Sequence, residues 1–315
     1  MTQAFRIVDL GDRRVLETGG RSYPTRYSER VIRMLVERKG AHRAPLYFDF
    51  KDTRGPHFLD PLFRYLRARG ARALRVLEIG CSFGHMTEYL AEQPELAALH
   101  TYDTDAAFVE LTRAKVEELG LKVVHEVLHL DQAATCRLPW PDGAFDVVVV
   151  VGIVEHLPIR HRREQVDEYY RVLAPGGHIA ILDTPNRWFP METHSVGLPL
   201  VQWLPAPLAW RYARLARPGR YGAIGFDEFT ADGTGWRNAT FGECLPSSGA
   251  AGLVDVTEEA GYGFTFFRAT ARSRTRRALL PAFTTAAAAL RAVGRPPSLA
   301  LPYLNLLFRK VQGAR

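Results

Sequence analysis

Cysteine is scarce in this chain, with Cys81, Cys136 and Cys244 the only three in 315 residues. They show neither metal-ligand nor disulfide spacing, which argues against a zinc module and against a disulfide framework. Long apolar runs are missing as well. A membrane-spanning helix needs about 20 apolar residues, and the longest candidate, Val147 to Val154, has the length of a strand. Met1-Thr-Gln-Ala-Phe-Arg6 lacks the apolar region of an export signal, so the expected location is cytoplasmic. No internal repeat is present, which excludes a solenoid. Concentrated charge is also rare. The formal net charge of +7 rests on arginines scattered over the whole chain, and scatter reads as a basic surface rather than a nucleic-acid stripe. One local cluster stands apart, Arg272-Ser-Arg-Thr-Arg-Arg277.

What is present is an ordinary globular composition, 47% hydrophobic and 24% charged. The length suits one large α/β domain with additions, or two smaller domains. Residues 1–70 lack strand alternation. Val31, Ile32, Leu35 and Val36, then Leu59, Leu62, Phe63 and Leu66, follow helical spacing. This region reads as a helical N-terminal cap, followed by the main domain over 71–315. From Arg75 the pattern changes. Strands are expected at 75–79, 98–102, 123–128, 145–151 and 178–183, and helices at 84–93, 105–118 and 161–173. Such alternation predicts a parallel sheet covered on both faces. Ala174-Pro-Gly-Gly177 is a turn ahead of the fifth strand. Residues 185–240 break the rhythm, rich in Pro, Gly and Trp, and read as an insertion with an amphipathic helix near Leu208 to Leu215. A helix is expected over 241–250 and a strand over 254–257. A helical segment over 272–293, interrupted at Pro281, precedes a last strand over 302–310.

The segment Arg75-Val-Leu-Glu-Ile-Gly-Cys-Ser-Phe-Gly-His85 carries the chemistry. An apolar strand ends in Glu78, and a glycine turn opens a helix. Gly80 and Gly84 let backbone approach a bound small molecule closely. Asp103 closes the next strand, at the distance where an acid receives ribose hydroxyls in open α/β sheets. A nicotinamide fingerprint needs a third glycine three residues after its second. Here His85, Met86 and Thr87 follow Gly84, so no diphosphate cradle is complete. Glu78 suits a cationic amino group instead.

With these residues the chain resembles class I S-adenosylmethionine-dependent methyltransferases, within the group of ubiquinone-type and small-molecule enzymes. The resemblance rests on Val76-Leu-Glu-Ile-Gly-Cys-Ser-Phe-Gly84, Tyr102-Asp-Thr-Asp105 and Leu138-Pro-Trp-Pro-Asp-Gly-Ala-Phe-Asp146. It continues through Val150-Val-Gly-Ile-Val-Glu-His-Leu157 and Arg171-Val-Leu-Ala-Pro-Gly-Gly-His178. It implies a Rossmann-like, seven-stranded, mostly parallel sheet with its last strand antiparallel, and a lid after the fifth strand. S-adenosyl-L-methionine would be the cofactor and S-adenosyl-L-homocysteine the product. Gly80, Cys81, Ser82 and Gly84 would line the methionine portion, with Ser82 where the family has its middle glycine. Glu78 would lie near the cofactor's amino end. Asp103 would hold the ribose, with Thr104 beside the adenine. Asp131 and Gln132 would reach the adenine amino group, and Val151 and Gly152 would border the sulfonium.

Methyl transfer is an in-line displacement, and a base is needed only where the acceptor must lose a proton. The candidates are His156, Glu192 and His194, with Asp183 and Asn186 nearby in sequence. The same histidines with Glu192 suggest a divalent metal, but no tight ligand spacing supports it, so no metal is the expectation. His85 reads as a helix-surface residue. Trp188, Phe189, Trp203 and Trp210 are expected to wall an acceptor site for a small molecule, most simply methylated at oxygen. The alternatives are N- or C-methylation of a small or lipid-linked substrate, a nucleic-acid or protein methyltransferase, a nicotinamide oxidoreductase, and a non-catalytic scaffold. No nucleic-acid partner is expected. Peripheral membrane contact, through Leu198 to Arg217 with the Arg272–Arg277 cluster, is the lesser reading, and a homo-oligomer stays open.

Overall fold

The computed structural model describes residues 4–271 and 273–311. Contacts divide the chain into two compact units, one ending at Gln132 and one beginning at Ala133. This division falls after the third strand of the main sheet rather than near residue 70.

The first unit opens with three strands, β1 (Phe5–Asp9), β2 (Arg14–Thr18) and β3 (Arg21–Thr25), paired as an antiparallel meander. This corrects the expectation of an entirely helical cap. The two-residue turn between β2 and β3 is Gly19-Gly20, both at positive φ, which is the geometry of a tight hairpin. The two expected helices follow, α1 (Glu29–Lys39) and α2 (Phe50–Ala68). Ser28 caps α1 by accepting from the Val31 amide. Next come β4 (Leu74–Ile79), α3 (His85–Ala91), β5 (Leu96–Asp103), α4 (Ala106–Glu118) and β6 (Val124–His129). β4 pairs with β5 and β5 with β6, both in parallel.

The cap matters because it braces the glycine turn. Leu16, Tyr27, Val31, Ile32, Leu35 and Phe48 share one buried cluster with Phe83 of that turn and with Leu111 and Ala114 of α4. Beneath it lies a buried ion pair, Lys115 to Glu88 at 2.8 Å. The Tyr27 hydroxyl donates to Glu88 at 2.9 Å, and Arg26 donates to its other oxygen at 2.6 Å. A buried charge needs such partners to avoid a large desolvation cost.

The second unit contains β7 (Phe145–Val151), α5 (Arg162–Val172), β8 (Leu173–Pro185), α6 (Ala206–Ala216), α7 (Pro218–Tyr221) and α8 (Phe226–Thr230). It ends with β9 (Leu253–Asp255), α9 (Gly263–Thr270), α10 (Arg274–Ala292) and β10 (Tyr303–Lys310). β8 pairs in parallel with β7 and antiparallel with β10. Its register jumps from Leu173 to His178 across Ala174-Pro-Gly-Gly177, so the expected turn is a bulge at the strand's start. Seven strands form the sheet in the order β6-β5-β4-β7-β8-β10-β9. The expected last strand and its antiparallel direction are present. The helix expected over 241–250 is only a short 3₁₀ turn at Phe241–Cys244. α10 runs unbroken through Pro281, contrary to the expected interruption. Arg272, in the basic cluster, lies outside the described residues.

The insertion after β8 has its own core, in which Val196, Leu198, Val201, Ala209, Ala213, Phe229 and Trp236 are buried. Trp210 packs against this cluster, whereas Trp188 and Trp203 are 60% and 45% exposed. The aromatics expected to wall one site are therefore divided between the lid's core and its surface.

Candidate active site

Glu78 is almost fully buried near the end of β4, and one of its oxygens accepts a hydrogen bond from Thr87 Oγ1 at 2.6 Å. Burial pushes its carboxyl up to about 8, against the Thr87 hydrogen bond that favours the charge. The amides of Gly80 and Cys81 both donate to the Tyr102 carbonyl at 3.0 Å, which draws the turn onto the end of β5. Gly84 has φ 72, and a Cβ there would stand 3.0 Å from Thr112 Oγ1. A side chain there would be strained by conformation and crowded by Thr112.

Ser82 has φ 47, a left-handed conformation uncommon outside glycine. Its amide donates to Asp103 Oδ2 at 2.9 Å, and its carbonyl accepts from Thr112 Oγ1 at 3.2 Å. The other oxygen of Asp103 accepts from the Asp105 amide at 3.0 Å. Burial raises the Asp103 pKa, while the Ser82 and Thr104 amides oppose the rise. A carboxylate offers about four acceptor positions, so the amides of Ser82, Thr104 and Asp105 leave capacity for a ribose hydroxyl. Thr104, Asp131 and Gln132 are exposed beyond β5 and β6. His85, expected on the helix surface, is half-buried at the start of α3 with its ring edge-on to Phe50. Burial, with the nearby Lys115 and Arg54 charges, pushes its pKa down to about 3, so it stays neutral.

In the second unit Val151 and Gly152 lie half-buried at the end of β7. A 3₁₀ turn, Val154–His156, follows. His156 Nδ1 lies 2.6 Å from the Gly233 carbonyl. A carbonyl only accepts, so the proton sits on Nδ1 and Nε2 carries a lone pair. The Nε2 atoms of His156 and His194 are 3.1 Å apart. Behind them the fully buried Glu155 places Oε1 3.9 Å from each. Burial lowers the His156 pKa, and Arg162 adds to this against the Gly233 hydrogen bond. Arg162 is itself buried and bonds to the carbonyls of Glu155, Leu157 and Asn238, which clamps the turn. Gly235 covers the pair closely: a Cβ there would come within 3.1 Å of His156 and 3.2 Å of His194.

Glu192 has a different place from the one expected. One oxygen accepts from the amides of His194 and Ser195, the other from those of Val196 and Gly197, at 2.6–2.8 Å. Four amides use its acceptor positions, so it shapes the His194 loop rather than taking a proton. It is likewise absent from the potential metal group. Glu155, His156 and His194 have ligand atoms within 4.8 Å of one another, and two imidazoles with a carboxylate can hold a first-row divalent cation. Glu155 was not among the residues singled out from the sequence. Nor were Arg162 and Gly235, because Arg162 joins the turn to Asn238, 76 residues on, and Gly235 meets His156 and His194 only in the folded lid.

The family model described as a methyltransferase domain matches residues 77–181. A demethylmenaquinone methyltransferase of Thermus thermophilus is 32% identical over 111 residues, 35% of this chain and 47% of the relative. A phosphatidylethanolamine N-methyltransferase of Cereibacter sphaeroides is 32% identical over 113 residues, 36% of this chain and 52% of the relative. "Probable tRNA methyltransferase 9B" of Bos taurus is 28% identical over 193 residues, 57% of this chain and 38% of the relative. The chain thus spans about half or less of the curated relatives it matches, and their names point to three different acceptors. What they share is the domain: residues 77–181 are a methyltransferase domain of the class I, S-adenosylmethionine-dependent family.

Proposed function

We propose that the protein methylates an oxygen of a small-molecule acceptor, a specialised metabolite or a sugar unit, with S-adenosylmethionine as donor. When bound, the cofactor supplies a methyl group already activated by its sulfonium. Alignment of the acceptor can then provide much of the rate. The residues expected to hold the cofactor fit it. Asp103 has acceptor capacity for a ribose hydroxyl, Glu78 supplies an acid for the amino end, and Gly80 to Gly84 offer backbone at close approach. Thr104, Asp131 and Gln132 are taken to border the adenine, and Val151 and Gly152 the sulfur.

The observation that carries the oxygen acceptor is the His156–His194 pair backed by Glu155. A hydroxyl must shed its proton as the new bond forms, whereas a neutral amine already presents a lone pair. With Nδ1–H held by Gly233, the pair can receive that proton at Nε2, and the buried Glu155 carboxylate favours the imidazolium that results. A cleft of about 310 Å³ in the lid, lined by Tyr221, Phe229, Trp236, Arg220 and Glu228, suits a ring-sized acceptor. Ser195 and Thr234 also line it, and they are the chain neighbours of His194 and of Gly233 and Gly235.

Screening hydroxylated acceptors with methyl-labelled cofactor, and assigning the methylated atom by NMR, tests this reading. O-methyl products are expected. His156→Gln and His194→Gln should lower kcat by about 10²–10⁴-fold with little change in S-adenosylhomocysteine affinity. Products methylated only at carbon or nitrogen would overturn it.

A further inference from the structure

From Thr193 to Phe226 the chain contains no aspartate or glutamate, but four arginines, Arg211, Arg214, Arg217 and Arg220. All four are exposed. Acid-free basic stretches also run from Pro61 to Leu77 and after Glu259. The 193–226 segment centres on α6, whose two faces are unlike. Ala209 and Ala213 are fully buried against the lid's core, with Trp210 and Tyr212 beside them. On the other face Leu208 is 50% exposed and Leu215 is 83% exposed, the highest value of any large apolar residue among those described. Leu208, Arg211 and Leu215 fall at i, i+3 and i+7, one outward stripe, with Arg214 adjoining it. Leu200 and Trp203 in the turn just before α6 are 44% and 45% exposed.

Protruding apolar side chains on a helix that carries arginines and no acids match a helix lying in the interface of an anionic bilayer. Leucines and tryptophan enter the acyl boundary, and arginines meet lipid phosphates while their aliphatic stems stay in the apolar layer. Two other occupants fit less well. A nucleic-acid backbone would engage the arginines but gives Leu208, Leu215 and Trp203 nothing apolar to enter. A second copy related by a two-fold axis would set this all-cationic face against itself. No helix among the described residues is long and apolar enough to cross a membrane, so the contact is peripheral.

We propose that the outward face of α6, with the turn before it, docks the protein on an anionic lipid surface. The full chain should co-sediment with vesicles containing about one-third phosphatidylglycerol. Binding should be far weaker to pure phosphatidylcholine, and it should fall as salt rises. Leu215→Asp, and separately Arg211→Glu with Arg214→Glu, should each weaken vesicle binding at least about tenfold. These positions are exposed, so the melting temperature and S-adenosylhomocysteine affinity should stay as in the wild type. Absence of sedimentation with anionic vesicles would overturn the proposal, as would binding unaffected by Leu215→Asp. Dimers in solution that dissociate on Leu215→Asp would assign the face to self-association. Binding to tRNA or heparin that survives Leu215→Asp, without vesicle binding, would assign it to nucleic acid.

Discussion

Glu78 is a buried acid that accepts from the Thr87 hydroxyl, and burial pushes its pKa up to about 8, which favours the protonated form in the free protein near pH 7. A cofactor ammonium beside it would favour the charged form, and binding should expel that proton. Titration of S-adenosylhomocysteine at pH 7 in buffers of different ionisation enthalpy should then report a net proton release that is absent from Glu78→Gln. Equal heats in all buffers would remove Glu78 from the amino end. The sign for stability follows from the same shift. A folded pKa above the ordinary 4.5 means that the native state binds more protons across the interval from there to about 8. The contribution of Glu78 to the stability of the free protein therefore declines as pH rises through that window. His156 shifts the other way, because burial favours its neutral, proton-accepting form. The acidic limb of kcat/KM should accordingly fall below the ordinary histidine value of 6.5. His156→Gln should abolish or displace that limb, and a profile unchanged by the substitution would deny His156 the role of base. The limb belongs to the coupled pair rather than to one ring.

The elements were unequally legible. Between Arg75 and Asp183 the strands and helices are found within a few residues of their expected ends, because parallel strands buried on both faces read as apolar runs. β1 to β3 escaped notice for the opposite reason. Each is only five residues long and partly exposed, and the one clear signal was Gly19-Gly20. Pro281 looked like a break, yet α10 accommodates it on a largely exposed helix. The His156–His194 pair was legible as residue types but not as a pair, since 38 positions separate the two and only the folded lid joins them. Two element-scale predictions follow from what holds these pieces. Glu192→Gln replaces an acceptor-only group that meets four amides with one carrying its own N–H donors. It should cost about 2 kcal/mol in denaturant melts and increase protease cleavage within 193–200, while leaving S-adenosylhomocysteine affinity alone. An unchanged melt and digest would show that the loop does not depend on that carboxylate. Glu88→Leu strands Lys115 in the core beneath the cap and should cost about 3–5 kcal/mol. A loss under about 1 kcal/mol would show that the Tyr27–Glu88–Lys115 network does not secure the cap.

For the whole molecule, the methyltransferase domain over residues 77–181 bears on the proposed methyl donor, and the lid on the proposed acceptor. The family resemblance could be read from five segments over 75–185, but the acceptor side lies in an insertion whose composition only marked it as irregular. Glu155, His156 and His194 admit two chemistries, proton transfer and cation binding, and the first predicts that turnover survives exhaustive chelation. A loss greater than about tenfold on chelation, reversed by a divalent ion, would make the group a metal centre. The account rests most heavily on the cradle formed by Glu78, the Gly80–Gly84 turn and Asp103. Calorimetric titration of wild type and Asp103→Ala with S-adenosylhomocysteine tests it most directly. One saturable site in the wild type, weakened about 10–100-fold by the substitution (about 1.4 kcal/mol per tenfold), is the predicted result. No binding, equal affinity in the two proteins, or saturable binding of NAD(H) in place of S-adenosylhomocysteine would contradict it.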